Sequence, residues 1–433
     1  MIHTLIIAIL TSIFLILAVL FYPKVKIGKK NINTYWIVCL IGAISMILFK
    51  SISLKDIYYS LASNSSINPL KILILFFSMT ILSIFLDEIG FFRFLATRTV
   101  KLAKTNQVTL FIVLYLLTSV LTIFTSNDIV ILTFTPFICY FCKNASIDPK
   151  PYLVAEFAAA NTWSMMLIIG NPTNIYLASS ANIDFISYLK VMAIPTIVSG
   201  LIELLIIFLL FRKKLKQPML LKFEDSQIED KVELDLGLLH FGICLILLVI
   251  CSYIHIQMWI ISLICAASLL ILILITDALR KKRWTHIIST LKRAPYELIP
   301  FVISMFIIVA AINKQGISSH ISDLLDTKYY IFSYGTSSFL MANIINNIPM
   351  SVLFSTLPHM VNAHDNLKAI YATIIGSNIG AFLTPIGALA GIMFTQLLSK
   401  YDVKYGFKAF IKYGIIIAIP TLATSLIMLM IIL

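Results

Sequence analysis

The chain has 433 residues, of which 60% are hydrophobic and 12% charged, with a formal net charge of +13. Soluble domains carry roughly 25% charged and about 45–50% apolar residues, so an ordinary soluble enzyme or binding domain is excluded. The positive charge does not indicate nucleic acid either, because almost all of it lies in short stretches between apolar runs, the footprint of membrane topology.

Apolar runs place membrane spans at 2–22, 33–50, 70–90, 152–180, 187–211, 235–254, 258–276, 296–313, 366–398 and 409–432. The first is not a signal peptide: it lacks a basic leader and a small-residue cleavage site, and Lys24, Lys26, Lys29 and Lys30 follow it. A first span with the N-terminus outside fits instead. The longest polar stretch, 212–235, is too short to fold by itself, so one membrane domain is expected.

Two further segments, 108–142 and 329–358, resist assignment as single spans. As one straight helix the first would be about 52 Å long, against a hydrocarbon core of about 30 Å. Polar residues break it at Ser126-Asn127-Asp128, and the second breaks at Asn346-Asn347-Ile348-Pro349. If each is a re-entrant hairpin that enters and leaves by one face, the basic residues segregate to the inside. Only Lys50, Lys55, Lys71, Lys190, Lys314, Lys328 and Lys368 then remain outside, with both termini.

The landmarks recur in the same order in both halves. A glycine, Gly90 or Gly316, closes the helix before each hairpin, and a long span with a polar, proline-bearing break follows. The first break reads Gly170-Asn171-Pro172-Thr173-Asn174 and the second Thr384-Pro385-Ile386-Gly387. The expected fold is an all-α polytopic membrane protein of two inverted repeats, each with five transmembrane helices and a re-entrant hairpin. The first repeat is 1–211, with hairpin 108–142 and broken helix 152–180. A cytoplasmic linker covers 212–234. The second repeat is 235–433, with hairpin 329–358 and broken helix 366–398. Opposed repeats with broken helices near the midplane mark secondary transporters. The plain alternative, that each break merely satisfies backbone groups between packed helices, does not explain four breaks at matching positions.

At a hairpin tip the backbone loses its helical partners and survives in a membrane only against protein or a cavity. A helix beginning after the tip points unpaired N–H groups and a fractional positive charge at that cavity. Carbonyls ending the preceding arm suit a cation such as Na⁺ near Asn127, Asn171 and Asn347. Asn127, Asn171, Thr173, Asn174, Asn346, Asn347 and Thr384 supply donors and acceptors for a small oxyanion, a neutral polyhydroxy species or a hydrated metal ion. Asp128 has no basic partner in its segment; a lone carboxylate at the midplane costs about 2.5–3.5 kcal/mol and marks an ion or proton path. It is the candidate for proton or ion coupling, against the alternative of a carboxylate facing water at a hairpin mouth.

Glu156 and Glu203 are weaker candidates, Glu203 as a protonated or paired contact in an apolar neighbourhood. Asp87, Glu88, Asp277 and Glu297 sit at span ends, where solvation is the plain explanation. The cysteines and histidines show no metal-ligand or disulfide spacing; Cys139 and Cys142, one turn apart, read as core residues rather than a thiol pair. No nucleotide-binding loop, nucleophile–base pair or cofactor motif is present, so an intramembrane enzyme is a remote alternative and no cofactor is expected.

The stretches "LDEIGFFRFLATRTVKLAK", "TSNDIVILTFTPF", "INKQGIS", "NNIPMSVL" and "IIGSNIGAFLTPIGALAGIM" resemble, in order, those of the arsenite/antimonite efflux permeases. These belong to an ion transporter superfamily that includes divalent anion/sodium symporters and sodium/proton antiporters. The resemblance implies scaffold regions, two hairpins, an elevator-like movement, and a site at Asn127, Asp128, Asn346 and Asn347 with Asn378, Thr384, Pro385 and Gly387 beside it. It implies a multi-pass protein of the plasma membrane that carries a small inorganic anion or oxyacid with H⁺ or Na⁺, as a homodimer or with a separate ATPase subunit. The alternatives are a sodium-coupled carboxylate symporter or a sodium/proton antiporter. Where arsenite permeases read "ADT" and then "SNLVN", this chain has Ala160-Asn161-Thr162 and then "GNPTN". The neutral Asn161 at an acidic position leans toward an anion carrier of the superfamily.

Overall fold

The computed structural model describes residues 1–22, 24–27, 30–62, 68–103, 106–219, 228, 230–250, 256–325, 329–357 and 363–433. Lys29, Lys104, Lys222, Lys328, Pro358 and much of the stretch 212–234 lie outside the described residues. Among those described, twenty α-helices fall into two runs of ten. The first is α1 (Ile2–Phe21), α2 (Tyr35–Leu48), α3 (Leu54–Ala62), α4 (Pro69–Glu88), α5 (Phe91–Ala103), α6 (Gln107–Phe124), α7 (Asn127–Asn144), α8 (Lys150–Trp163), α9 (Pro172–Ser180) and α10 (Phe185–Phe211). The second is α11 (Lys231–Ile250), α12 (Met258–Leu279), α13 (Thr285–Arg293), α14 (Leu298–Lys314), α15 (Ile317–Leu325), α16 (Tyr330–Ile345), α17 (Asn347–Phe354), α18 (Ala363–Gly380), α19 (Leu389–Lys400) and α20 (Phe407–Ile432). The chain is a helical, multi-pass membrane protein: eight stretches, α1, α4, α6, α10, α11, α12, α13–α14 and α20, are long and apolar enough to cross a bilayer.

Three features depart from the sequence expectation. The first basic loop holds a two-stranded antiparallel ribbon, β1 (Lys24–Ile27) and β2 (Lys30–Asn33), with Val25 opposite Ile32. Its alternation of apolar and polar residues is the strand period. Four short helices, α3, α5, α13 and α15, stand where surface loops were expected, so Arg93, Arg98 and Lys101 lie on α5. Gly90 and Gly316 end α4 and α14 at φ +82° and +73°. That left-handed conformation suits glycine and redirects the chain into the next helix. Third, the span-end carboxylates are not simply solvated: three are held by protein groups and the fourth is buried. Arg293 pairs with Asp87 (2.7 Å) and Glu88 (2.5 Å), the Asn33 amide donates to Glu297 (2.5 Å), and Asp277 is buried.

The helices pack in two groups. In one, α2 lies on α14 and α4 on α12, with α1 and α11 beside them. In the other, α10 lies on α20, α8 on α6 and α18 on α16. Between the runs the pairing is reciprocal: α7 packs on α19, and α17 on α9.

The 27-residue α10 is about 40 Å long. Past its Phe211 end, Gln107 at the start of α6 donates to the Gln217 carbonyl (2.7 Å), and Tyr152 at the start of α8 donates to Gln107 (2.8 Å). There too, Lys214 pairs with Asp148, between α7 and α8 (2.6 Å). Burial opposes ionisation of Asp148, but Lys214 and the backbone N–H and charge of Lys150 together outweigh it and hold the carboxyl below its ordinary range. The outer ends of α6 and α7 thus share one end of α10, and the chain turns back at Thr125-Ser126. On the second run, Ser322 of α15 donates to the Leu357 carbonyl past α17, and Ser333 of α16 donates to the Leu325 carbonyl, both at 3.0 Å. Both outer ends of α16 and α17 therefore rest on α15. Tyr371 of α18, shortly after, packs on Tyr188 near the Phe185 end of α10, with ring centroids 6.0 Å apart.

Candidate functional site

The first tip is built from two extended residues, Thr125 and Ser126, after which Asn127 and Asp128 open α7. Asn127 is buried; its side-chain oxygen accepts from the Asp128 N–H (2.9 Å), and its amide donates to Asn161 of α8 (3.1 Å). Asn161 lies eleven residues along α8, or about 16 Å, near the middle of a hydrocarbon core of about 30 Å.

After Trp163 the chain runs through two short 3₁₀ turns, 164–166 and 168–170, and resumes at α9. The break closes tightly on itself: a Cβ on Gly170 would lie 2.3 Å from the Ser164 carbonyl oxygen, so only glycine fits. Asn171 caps α9 by accepting from the Thr173 N–H (3.1 Å). Asn174 donates to the Ser164 (2.8 Å) and Leu167 (3.2 Å) carbonyls, giving the 3₁₀ turns partners that hydrocarbon cannot supply.

One side chain of the second run joins these pieces. Asn378 of α18 accepts from Ser164 (2.9 Å) and Asn171 (2.9 Å) and donates to Asn174 (2.7 Å). Ser164 also donates to the Asn161 carbonyl (2.7 Å). Adjacent Ser377 shares a hydrogen bond with Ser351 of α17 (3.3 Å), and Ser351 donates to the Asn347 carbonyl (2.8 Å). A buried polar chain therefore runs from Asn127 at one tip to Asn347 at the other.

The second tip has Asn346 at φ +72° and ψ 151°, a region that strains any residue with a Cβ. Its side chain holds it there, donating to the Ile386 carbonyl (2.9 Å) and accepting from the Ile348 N–H (3.3 Å). The Asn347 N–H donates to the Gly387 carbonyl (2.9 Å). Thr384 donates to Asn343 (2.7 Å), which donates to the Gly380 carbonyl (3.0 Å). The second break and the second tip are thus one unit.

The expected site residues divide in two. Asn171, Asn174, Asn346, Asn378, Thr384 and Gly387 are engaged in the frame. The carbonyls of Leu167, Ile386 and Gly387, within the breaks, accept from asparagine side chains or the Asn347 N–H. Among the described residues, by contrast, the Asp128 carboxylate and the Asn347 amide make no side-chain hydrogen bond, and the buried hydroxyls of Ser126 and Thr173 have no partner. Thr173 lines a small cleft with Ile348 and Ser351 of α17, facing Ile72, Leu73 and Phe76 of α4 and Val302 of α14, with room for about one water. Four helices, α7, α9, α17 and α19, begin at the tips and breaks, directing positive dipole ends there. No cluster of three or more metal-ligating side chains occurs among the described residues.

Ser164, Asn343, Ser351 and Ser377 escaped the sequence reading. Ser164 stands three residues after Asn161, and Asn343 three before Asn346, at helical spacing. That periodicity was the available signal. Glu156 is buried and accepts from Thr135 of α7 (2.9 Å). Glu203 is not in a wholly apolar neighbourhood: Tyr115 of α6 (3.0 Å) and Thr162 of α8 meet its two oxygens.

Comparison with known proteins places this architecture. The family model described as "Citrate transporter" (CitMHS) matches residues 27–367. The chain is 27% identical over 369 residues to the arsenical pump membrane protein of Escherichia coli K12, covering 81% of this chain and 84% of that one. It is 23% identical over 402 residues to the putative arsenical pump membrane protein of Bacillus subtilis, covering 87% and 89%. The fold is similar to that of the Alcanivorax borkumensis YdaH transporter, with a TM-score of 0.56, 11% identity and 99% and 97% of the two chains covered. The chain is therefore a membrane transporter rather than an enzyme, related to the arsenical pump membrane proteins, and it belongs to the citrate transporter (CitMHS) family.

Proposed function

We propose that the chain is a secondary active carrier of a small oxyacid or inorganic anion of the arsenite and antimonite class, driven by an ion gradient. The substrate lies between the tips and the breaks. The carrying observation is the buried polar chain from Asn127 to Asn347, which joins both tips through Asn161, Ser164 and Asn378. Reciprocal packing of the two runs supports two inverted repeats, as does the opening of the first hairpin at the Phe211 end of α10 while the second lies toward the Phe185 end. Both termini lie outside the plasma membrane in this reading.

Asp128, Asn347, Ser126 and Thr173 make the direct contacts, and the other asparagines hold the frame. Amides and hydroxyls donate to and accept from the O–H groups of a neutral oxyacid, and the helix N-termini favour oxygen-rich ligands. The residues of the polar chain and the tips include no lysine or arginine. A tricarboxylate would bring several charges into a low dielectric with only dipoles against them. This favours the oxyacid over the second reading, a sodium-coupled citrate or other carboxylate symporter, which the family description supports.

The test is uptake by everted membrane vesicles given arsenite, antimonite or citrate across imposed pH and Na⁺ gradients. Arsenite or antimonite accumulation is expected, and Asp128→Asn abolishes it while the protein still folds. Accumulation of citrate alone would transfer the chain to the second reading.

A further inference from the structure

We infer that one face of α6 is a proton path that ends on a carboxylic acid at Glu203, remote from the substrate centre, and leads to Asp128 at the first tip. The inference rests on the carrier reading and names the group that exchanges the coupling proton.

The geometry around Tyr115 fixes where hydrogens can be. Its hydroxyl oxygen lies 2.7 Å from the Gly200 carbonyl, 3.0 Å from Glu203 Oε1 and 3.1 Å from Trp163 Nε1. The indole can only donate and the carbonyl can only accept. The single tyrosine hydrogen goes to the nearer acceptor, Gly200. The remaining close contact, with Glu203, is then satisfied by a hydrogen on the glutamate. Thr162 donates to the other carboxyl oxygen. Glu203 is fully buried, and no cation pairs with it among the described residues. A carboxylic acid meets every contact there, whereas a carboxylate would leave the tyrosine short of one hydrogen.

From Tyr115 the same helix face carries Thr118 and Thr122, at spacings of three and four residues, and Ser126 follows in the extended tip just past the helix end. All are at most 5% exposed. The hydroxyls of Thr118, Thr122 and Ser126 have no hydrogen-bond partner among the described residues. Their neighbours behave otherwise: Ser119 and Thr125 each donate to the carbonyl four residues back, at 2.8 Å. Buried polar groups without partners are rare and call for a ligand or water. Thr118 and Thr122, four residues apart on the helix, are separated by about 6 Å, the reach of one water making two hydrogen bonds.

The path balances as a relay. Glu203 releases its proton to the Tyr115 oxygen as the tyrosine hydrogen leaves toward Thr118. Each hydroxyl or bridging water takes one proton and gives one up, and Asp128, the next residue but one after Ser126, receives it. Afterward Glu203 is a carboxylate and Asp128 an acid, with the hydroxyls unchanged but rotated. On the elements packed against α6, Glu156 is held by Thr135, and Arg93 and Arg98 of α5 pair with neither carboxyl among the described residues. Thr162 follows Asn161, so the charge on Glu203 acts beside the residue that holds the first tip.

Two measurements on the purified full chain in lipid test this. In infrared spectra at neutral pH, Glu203→Gln removes a carboxylic-acid C=O band, and Tyr115→Phe shifts that band. An unchanged band in Glu203→Gln overturns the acid whether or not any substrate is transported. In proteoliposomes, the double variant Thr118→Val/Thr122→Val and Glu203→Gln each lower pH-driven arsenite accumulation by about tenfold or more. Exchange of arsenite without a gradient stays within about twofold of wild type, because no proton need cross. Wild-type accumulation retained by the double variant, or driven by Na⁺ alone, overturns the path. Absence of both accumulation and exchange in the wild type, for arsenite, antimonite and citrate, refutes the carrier reading instead and leaves the infrared result to decide the acid.

Discussion

Asn378 does more than any other single side chain to hold the centre together. It accepts from Ser164 and Asn171 and donates to Asn174 and to the Ile374 carbonyl. Replacing it by alanine leaves the Asn171 amide without an acceptor and the Asn174 oxygen without a donor, both buried. Each such orphan costs about 1–3 kcal/mol, so Asn378→Ala is expected to destabilise the protein by roughly 2–6 kcal/mol. Thermal unfolding in detergent, followed by tryptophan fluorescence, checks this; an unchanged midpoint would mean the network does not hold the breaks. Gly387 offers a second residue-scale test. A Cβ there would lie 2.7 Å from the Gly380 carbonyl oxygen and 3.0 Å from the Asn343 side-chain oxygen. The first is backbone and cannot swing aside, so the second break must shift and carry the Asn347 N–H off the Gly387 carbonyl. Gly387→Ala is expected to cost about 1–3 kcal/mol, as overpacking does, and to weaken arsenite exchange in proteoliposomes.

Among elements, the pair that fastens the α7–α8 turn to the end of α10 gives a pH-dependent test. Asp148 is held below its ordinary range by Lys214 and Lys150 despite partial burial. A depressed carboxylate contributes stability above its unfolded pKa and loses it as pH falls through the folded one. Lys214→Ala should therefore lower stability at neutral pH, by no more than about 1 kcal/mol because both side chains are partly exposed. Below the acid range of Asp148 the variant and the wild type should melt together. The same scale shows what sequence could and could not convey. Helix interruptions at Ser126, Asn171 and Asn346 were legible because asparagine, aspartate and proline stand out in apolar sequence. The short helices α3, α5, α13 and α15 were not, since nine to thirteen residues of mixed polar and apolar character look like loops to a window set by bilayer thickness. Partner choice was also hidden. Nothing in the spacing says that Asn378 meets Asn171, 207 residues earlier, or that Tyr115 meets Glu203, because serine, threonine, tyrosine and asparagine can equally serve their own helix.

For the whole molecule, the cleft between the two helix groups is where any relative movement must register. One wall is α4 and α14, through Ile72, Leu73, Phe76, Leu298 and Val302; the other is α9 and α17, through Pro172, Thr173, Tyr176, Ile348 and Ser351. The first wall belongs to the group built on α2, α4, α12 and α14. The second carries a break and a tip, and its helices are held to the centre through Asn378 and Ser377. A movement that carries substrate across the membrane would slide the second wall along the first, and the smooth apolar lining offers little to hold it in one place. Filling the cleft from the fixed side should arrest that sliding without disturbing the polar frame. Val302→Trp is therefore expected to reduce arsenite exchange by about tenfold or more, at a stability cost of about 1–3 kcal/mol, as overpacking a small cleft does. Exchange at the wild-type rate in a stably folded Val302→Trp protein would show that the groups do not slide at this surface. Transport would then have to proceed by local opening of the tips alone.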